Sequence, residues 1–248
     1  MEEVSVLKLR IKFSKTGAMK YIGHLDVMRY FQKALRRAGF ETTLSGGFSP
    51  HMIMSFAAPL GVGITSEGEY FDLEVAASGS SEEMERRLNA VMADGISVLS
   101  VRRIPDDKKY GGMRQLAAAD YTVFLKEHRI SDRDLAAVQE KIPDFLAQRE
   151  ILLEKKTKKG SKIMDIRPLI YQLKPDGQGF YLFVSQGSVD NLRPEFVIEK
   201  LFAFAGIRLE EHSLHIHRKE LYADSGNDEG NHQFVSLESF GNVLQEET

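Results

Sequence analysis

The stretch from Val4 to Phe13 alternates closely enough to define a strand and both of its faces. Val6, Lys8, Arg10 and Lys12 fall on one side, and Leu7, Leu9, Ile11 and Phe13 on the other. An apolar row at period two needs a covering layer, and the next segment supplies one. Asp26 to Ala38 reads as a helix stopped by Gly39, with Met28, Phe31 and Leu35 as its apolar stripe and Arg29, Lys33, Arg36 and Arg37 facing outward. Glu41 to Leu44 and Met52 to Ala57 are extended candidates around the Gly46–Gly47 break, and Tyr70 to Val75 alternates again. Ser80 with Glu83 forms a capping box before a helix built on Met84, Leu88, Val91 and Met92, and Ile96 to Ile104 reads as a closing strand. The order is β-α-β-β-α-β, the ferredoxin-like split βαβ pattern.

That order recurs. Tyr121 to Lys126 reads as a strand, and Ser131 opens a helix on Leu135, Val138 and Ile142 that Pro143 kinks or splits. Lys162 to Leu173 and Phe180 to Val184 are extended runs joined through Pro175, Asp176 and Gly177. Pro194 suits a first helical turn, Val197, Leu201 and Phe202 its apolar stripe, and Gly206 its stop, before a last strand from Arg208 to Tyr222. The expected fold is therefore α+β, tandem ferredoxin-like, with antiparallel sheets. Its divisions are a first domain over 1–104, a linker over 105–118, a second domain over 119–222, and a polar, disordered tail over 223–248 except near Phe234 and Val235. A length of 248 residues accommodates two such units.

Composition excludes several chemistries. The chain contains no cysteine, so it holds no disulfide, thiolate zinc site, cysteine-ligated iron–sulfur cluster or cysteine nucleophile of its own. A formal net charge of -3 argues against a protein that is basic throughout, though not against a local basic face. No apolar run approaches the roughly 20 residues of a membrane-spanning helix. Glu2 and Glu3 stand where a signal peptide would be basic, so the expected location is cytoplasmic, away from membranes.

Charge is the largest local signal. Between Lys8 and Arg37 the cations are Lys8, Arg10, Lys12, Lys15, Lys20, Arg29, Lys33, Arg36 and Arg37, against Asp26 alone; a second cluster runs through Lys155, Lys156, Lys158, Lys159 and Lys162. Basic strands and helix ends suit phosphate backbones, because each neutralised phosphate releases counterions. A solvated surface is the alternative. In the loop from Ser45 to His51, Gly46 and Gly47 let the backbone approach a ligand or take positive φ, and Phe48 and His51 could stack on a base. The same loop could be a tight turn with Phe48 plugging the core. It matches neither a P-loop nor a dinucleotide fingerprint.

His24, in Gly23-His24-Leu25-Asp26 at the helix entry, could meet a phosphate, act as an acid or base, or belong to the cap. Asp165 and Arg167 share a strand face, with Arg193 before Pro194, and suit either a binding role or a structural ion pair. His215 and His217 share a face near His212, without the acidic or thiolate companions that would make a metal site; none is read.

Several runs together resemble one bacterial family. They are Tyr21-Ile22-Gly23-His24-Leu25-Asp26, Ala34-Leu35-Arg36-Arg37-Ala38-Gly39, Gly47-Phe48-Ser49-Pro50-His51, Ser55-Phe56-Ala57, Leu60-Gly61-Val62 and Ser66-Glu67-Gly68-Glu69-Tyr70, with Asp165-Ile166-Arg167-Pro168-Leu169-Ile170 further on. The family is that of the radical SAM-linked proteins, a domain of unknown function encoded beside, or fused behind, a B12-binding radical SAM protein. Its genes often lie near those for ribosomal proteins and a ribonuclease. The resemblance is close from Tyr21 to Val75, thinner in the second half and absent after Tyr222. It implies a radical SAM protein as partner and RNA or a ribosome-related component as substrate. The partner would hold the iron–sulfur cluster, SAM and B12, with no cofactor in this chain. The resemblance carries no catalytic residue across.

Three readings follow. The first is a non-catalytic accessory module that recognises RNA or an RNA-linked substrate through the basic residues, the Gly46–His51 loop, Asp165 and Arg167. The second is a metal-independent RNA-processing enzyme with His24, His51 and Tyr21 as titrating groups; the tandem architecture is similar to that of the CRISPR-RNA-processing endoribonucleases, but their glycine-rich signature near the C-terminus is missing here. The third is a scaffold that docks proteins only.

Overall fold

The computed structural model describes residues 6–76, 79–126, 129–157, 160–188, 190–226 and 231–245. The chain is a mixed α/β protein whose strands form largely antiparallel sheet. It divides into two compact units, residues 1–117 with 220–248, and residues 118–219.

In the first unit, β1 (Leu7–Lys15) lies between β3 (Thr65–Val75) and β4 (Ile96–Arg103), antiparallel to both, and short β2 (Met54–Phe56) pairs with β3. Two helices connect these strands, α1 (His24–Arg37) from β1 to β2 and α2 (Ser81–Asn89) from β3 to β4. The odd-numbered side chains of β1 (Leu9, Ile11 and Phe13) enter a buried core with Val27, Phe31 and Leu35 of α1 and Met84 and Leu88 of α2. Phe13, Phe31, Phe56 and Phe71 form its centre, with ring centroids between 4.7 and 6.3 Å apart. The cap expected for α2 forms, with Ser80 Oγ accepting from the Glu83 N–H at 3.2 Å.

The segment expected to be a plain linker has structure of its own: a 3-10 turn at Lys108–Tyr110, then α3 (Gly112–Gln115), then β5 (Leu116–Leu125). In the second unit α4 (Asp132–Glu140) and α5 (Ile142–Leu146) are parted near Pro143, as the sequence suggests. The extended run anticipated over Lys162 to Leu173 is broken. It contains the end of a separate hairpin, β6 (Leu152–Thr157) with β7 (Gly160–Asp165), then a 3-10 turn over Arg167–Leu169 and the start of β8 (Ile170–Asp176). Then come β9 (Gly179–Ser185), α6 (Pro194–Phe204) and β10 (Leu214–Asp224), giving the order β10-β5-β9-β8.

The division between units falls within β10, so the expected boundary at residue 222 and the disordered tail both need correction. Beyond Lys219 the chain belongs to the first unit, where β10 neighbours β3 and pairs with β11 (Phe234–Ser236), followed by a 3-10 turn over Leu237–Phe240. A polar composition hides the anchors. Leu237 is fully buried, and Asn242 exchanges both backbone hydrogen bonds with Arg103.

Candidate functional site

The alternation of β1 places Lys8, Arg10 and Lys12 on one face, but that face is not an open basic row. Arg10 is 1% exposed and lies directly opposite Asp72 of β3. Its Nε donates to Asp72 Oδ1 at 2.8 Å and one terminal nitrogen to Asp72 Oδ2 at 3.1 Å and to the Tyr110 carbonyl. The other terminal nitrogen donates to Gln115 Oε1 at 3.1 Å and the Leu237 carbonyl at 2.7 Å. All the N–H donors of a guanidinium are thereby used inside the protein. Lys12 is similarly engaged, with Nζ 2.6 Å from Glu220 Oε2 and 3.2 Å from Glu238 Oε1. Burial opposes its charge, yet Glu220 and Glu238 outweigh that and raise the Lys12 pKa. Neither residue is therefore available to RNA. Period two identifies the shared face correctly, but the cover over it comes from residues 108–117 and 220–242, far away in the chain.

The helix cations are where amphipathicity puts them. Arg29, Lys33, Arg36 and Arg37 are all exposed, at spacings of four, three and one along the α1 face opposite Val27, Phe31, Ala34 and Leu35. Arg29 makes a loose contact with Asp26 at 3.4 Å, and Arg37 donates to the Val91 carbonyl at 3.2 Å. Lys33 and Arg36 have no acidic partner among the described residues. On α2, exposed Arg86 adds a further cation. Its neighbour Arg87 caps α1 by donating to the Ala38 carbonyl at 2.8 Å and the Gly39 carbonyl at 2.7 Å.

The glycine-rich loop closes on itself. Ser45 N–H donates to the His51 carbonyl at 2.8 Å, and Ser45 Oγ lies 2.8 Å from His51 Nδ1. Gly47 has φ +97°, which explains a glycine there; a Cβ at Gly46 or Gly47 would meet nothing within 4 Å, so neither marks a close approach within the protein. Phe48 is no core plug. Its side chain is fully exposed at the loop tip.

His24 opens α1 half-buried, its ring edge-on to Phe56 at 5.2 Å. It borders a small cavity whose wall includes Lys15 and Glu69, both buried. Desolvation lowers the His24 pKa, Glu69 opposes this and Lys15 adds to it. Tyr21 is 66% exposed, and no hydrogen bond or ring contact links Tyr21, His24 and His51. The expected titrating trio is not assembled.

In the second unit, Asp165 and Arg167 are occupied with backbone. Asp165 Oδ1 accepts from the N–H groups of Ile151 at 2.8 Å and Arg167 at 2.9 Å, and Arg167 Nε donates to the Leu146 carbonyl at 2.7 Å. Arg193 pairs with Glu195. Of the lysine cluster, Lys162 is exposed on β7, while the side chains of Lys155, Lys156, Lys158 and Lys159 lie outside the described residues.

Sequence reasoning missed a group on the first unit. Lys8, the remaining member of the β1 row, lines a groove of about 240 Å³ together with Lys108, Met113 and Arg114 from the supposed linker. The only hint in that stretch was the pair Gly111–Gly112. A Cβ at Gly112 would sit 3.2 Å from the Ala57 Cβ and 3.4 Å from an Arg10 terminal nitrogen.

Comparison with known proteins adds a family. A model described as "Uncharacterized protein conserved in bacteria (DUF2344)" matches residues 8–194. No curated protein matches the chain. Among solved structures, a chain of a Cbf5-Nop10-Gar1 complex is 12% identical with a TM-score of 0.40, covering 86% of this chain and 48% of its own. This chain thus spans about half of that one. An unknown protein from Galdieria sulphuraria is 11% identical with a TM-score of 0.25, covering 88% of this chain and 99% of its own.

Proposed function

We propose that this chain, which belongs to the DUF2344 family of uncharacterized proteins conserved in bacteria, is a non-catalytic RNA-binding accessory protein. The observation that carries the reading is the outer face of α1. Arg29, Lys33, Arg36 and Arg37 are exposed there in one stripe, and Lys33 and Arg36 have no acidic partner among the described residues. Cations held on a rigid helix at that spacing suit successive phosphates, and neutralising them releases counterions. Phe48 at the tip of a separate loop supplies an exposed ring on which an unstacked base can lie. Phosphate contacts of this kind position a strand, whereas ring stacking tolerates any base.

The partner in this proposal is a radical SAM enzyme. The family resemblance names it, and the absence of cysteine supports the division of labour, since the cluster, SAM and B12 would lie on that enzyme. We read each unit as a ferredoxin-like arrangement. In the first, α1 links β1 to β2 and α2 links β3 to β4, with β3 between β1 and β2; the order β10-β5-β9-β8 of the second corresponds to it.

The test is binding of a fluorescent single-stranded RNA to the full chain, alone and with the co-purified radical SAM protein. Lys33→Glu with Arg36→Glu should lose at least tenfold in RNA affinity and keep the protein partner. Loss of the protein partner with RNA binding intact would favour a scaffold instead.

A second reading rests on His24, whose lowered pKa and position beside Lys15 and Glu69 suit a neutral base at pH 7. Incubating labelled RNA with the protein in chelator, beside His24→Ala, separates the two. Cleavage that depends on His24 would make the chain an enzyme, and intact RNA removes this second reading.

A further inference from the structure

The groove on the outer face of the first unit's sheet has the features of a small-ligand site. Lys8 lines it from β1, Lys108, Met113 and Arg114 from the 105–115 segment, and Ser55 and Glu74 from β2 and β3. Lys8, Lys108 and Arg114 form no salt bridge within the described chain. Asp72 also borders the groove, but Arg10 and the Gly112 N–H at 2.8 Å occupy its carboxylate. Among the groove's lining residues three cations therefore stand against one uncommitted carboxylate, that of Glu74 opposite Lys8 on the ladder, while Asp107, within electrostatic reach of Arg114, is paired with Lys109. The groove also has an apolar side. Half-buried Ile53 contributes to its lining, and Met113 is 57% exposed, an adaptable surface against a flat ring.

The wall is not a chance loop position. Arg10 donates to Tyr110 and Gln115, and Asp72 accepts from Gly112, so the buried pair holds the segment at three points on either side of Met113 and Arg114. Without a Cβ, Gly112 packs closely against Ala57 and Arg10, where an added Cβ would need its neighbours to give by a few tenths of an ångström. The backbone that carries Lys108 and Arg114 is thereby fixed, which lowers the ordering cost of bringing their charges to one phosphate.

We propose that this groove binds a nucleoside monophosphate unit. Lys8, Lys108 and Arg114 meet the phosphate, Met113 and Ile53 meet the base, and Glu74 and Ser55 bond its polar edge or the ribose hydroxyls. The site is separate from the α1 face, because Lys8 and the core-facing residues that pack under α1 lie on opposite faces of β1. The shared chemistry is a phosphomonoester on a nucleoside, from either a free nucleotide or the phosphorylated end of an RNA.

Calorimetric titration of the full chain with AMP, adenosine, and an RNA trinucleotide with and without a 5′-phosphate tests the proposal. AMP or the phosphorylated trinucleotide should bind at least tenfold more tightly than its unphosphorylated counterpart, and Lys8→Gln with Arg114→Gln should abolish that preference. Both side chains lack bonded partners, so folding is expected to survive, with circular dichroism as the check. Tighter binding of AMP identifies a free nucleotide, and tighter binding of the trinucleotide an RNA end. No phosphate preference in either pair, a preference unchanged in the double variant, or no binding at millimolar concentration would overturn the proposal. Lys33→Glu with Arg36→Glu serves as the control that separates this site from the α1 face, since it should leave AMP binding intact.

Discussion

Arg10 and Asp72 are opposed residues of the β1–β3 ladder, joined by Nε–Oδ1 at 2.8 Å and Nη–Oδ2 at 3.1 Å, with both side chains buried. A pair of this kind acts as an organiser. Its remaining bonds reach Tyr110, Gly112, Gln115 and Leu237, residues from two distant segments that cover the same face.

Breaking the pair on one side should be expensive. Removing either partner of a buried ion pair leaves an uncompensated charge, and Arg10→Ala or Asp72→Ala should each cost about 3–5 kcal/mol. Urea unfolding at matched slope measures the loss. Arg10→Ala combined with Asp72→Ala should cost clearly less than the sum of the two single changes. Strict additivity would mean that the pair does not act as a unit.

His24 makes stability depend on mild acid. Burial against Phe56 lowers its pKa below the ordinary value of 6.5, so the unfolded state takes up a proton first as pH falls. The unfolded state then binds more protons, and stability declines from pH 6.5 downward until the folded imidazole also titrates. His24→Leu should remove this slope in unfolding experiments across pH 5 to 7. Glu238 acts in a lower window. Desolvation alone would raise its pKa, but Ser100 and Lys12 depress it below 4.5. Its contribution is thus complete above that value and lost as pH falls through the folded pKa, and Glu238→Gln should flatten that part of the acid limb.

Phe48 should matter for RNA binding and not for folding. Its ring is fully exposed and touches no core residue, so Phe48→Ala should change stability by no more than about 0.5 kcal/mol. If a base stacks on it, the same change should cost about 1–3 kcal/mol of RNA affinity, or roughly five- to 150-fold. A melting curve and an anisotropy titration on the same variant give both numbers.

The sequence made local features legible where one periodicity governs them. The faces of β1, the outward cations of α1 and the Ser80 cap follow from repeats of two, of 3.6 and from one capping pattern. What those patterns cannot reveal is which distant segment covers a face. Alternation put Arg10 and Lys12 on one side of β1, and the contacts of Tyr110, Gln115, Glu220, Leu237 and Glu238 make that side an interior. The boundary near residue 220 was hidden for a related reason, because β10 crosses it without a turn or composition change. The same limit explains the groove. Lys108 and Arg114 sit in a polar stretch with little periodicity, and they become neighbours of Lys8 only because Arg10 and Asp72 fix that stretch in place. His51, Tyr21 and His24, in contrast, looked related through residue type alone, and the fold leaves them without mutual contacts.

The most direct measurement is the salt dependence of RNA affinity. Four phosphate contacts from Arg29, Lys33, Arg36 and Arg37 predict that log affinity falls against log salt with a slope of about −3 for a single strand, at about −0.7 per contact. Lys33→Gln with Arg36→Gln should bring the slope to about −1.4, two contacts fewer, while the Arg10–Asp72 pair stays intact. A wild-type affinity that ignores salt, or a slope unchanged by the double substitution, would contradict the assignment of this helix face to RNA.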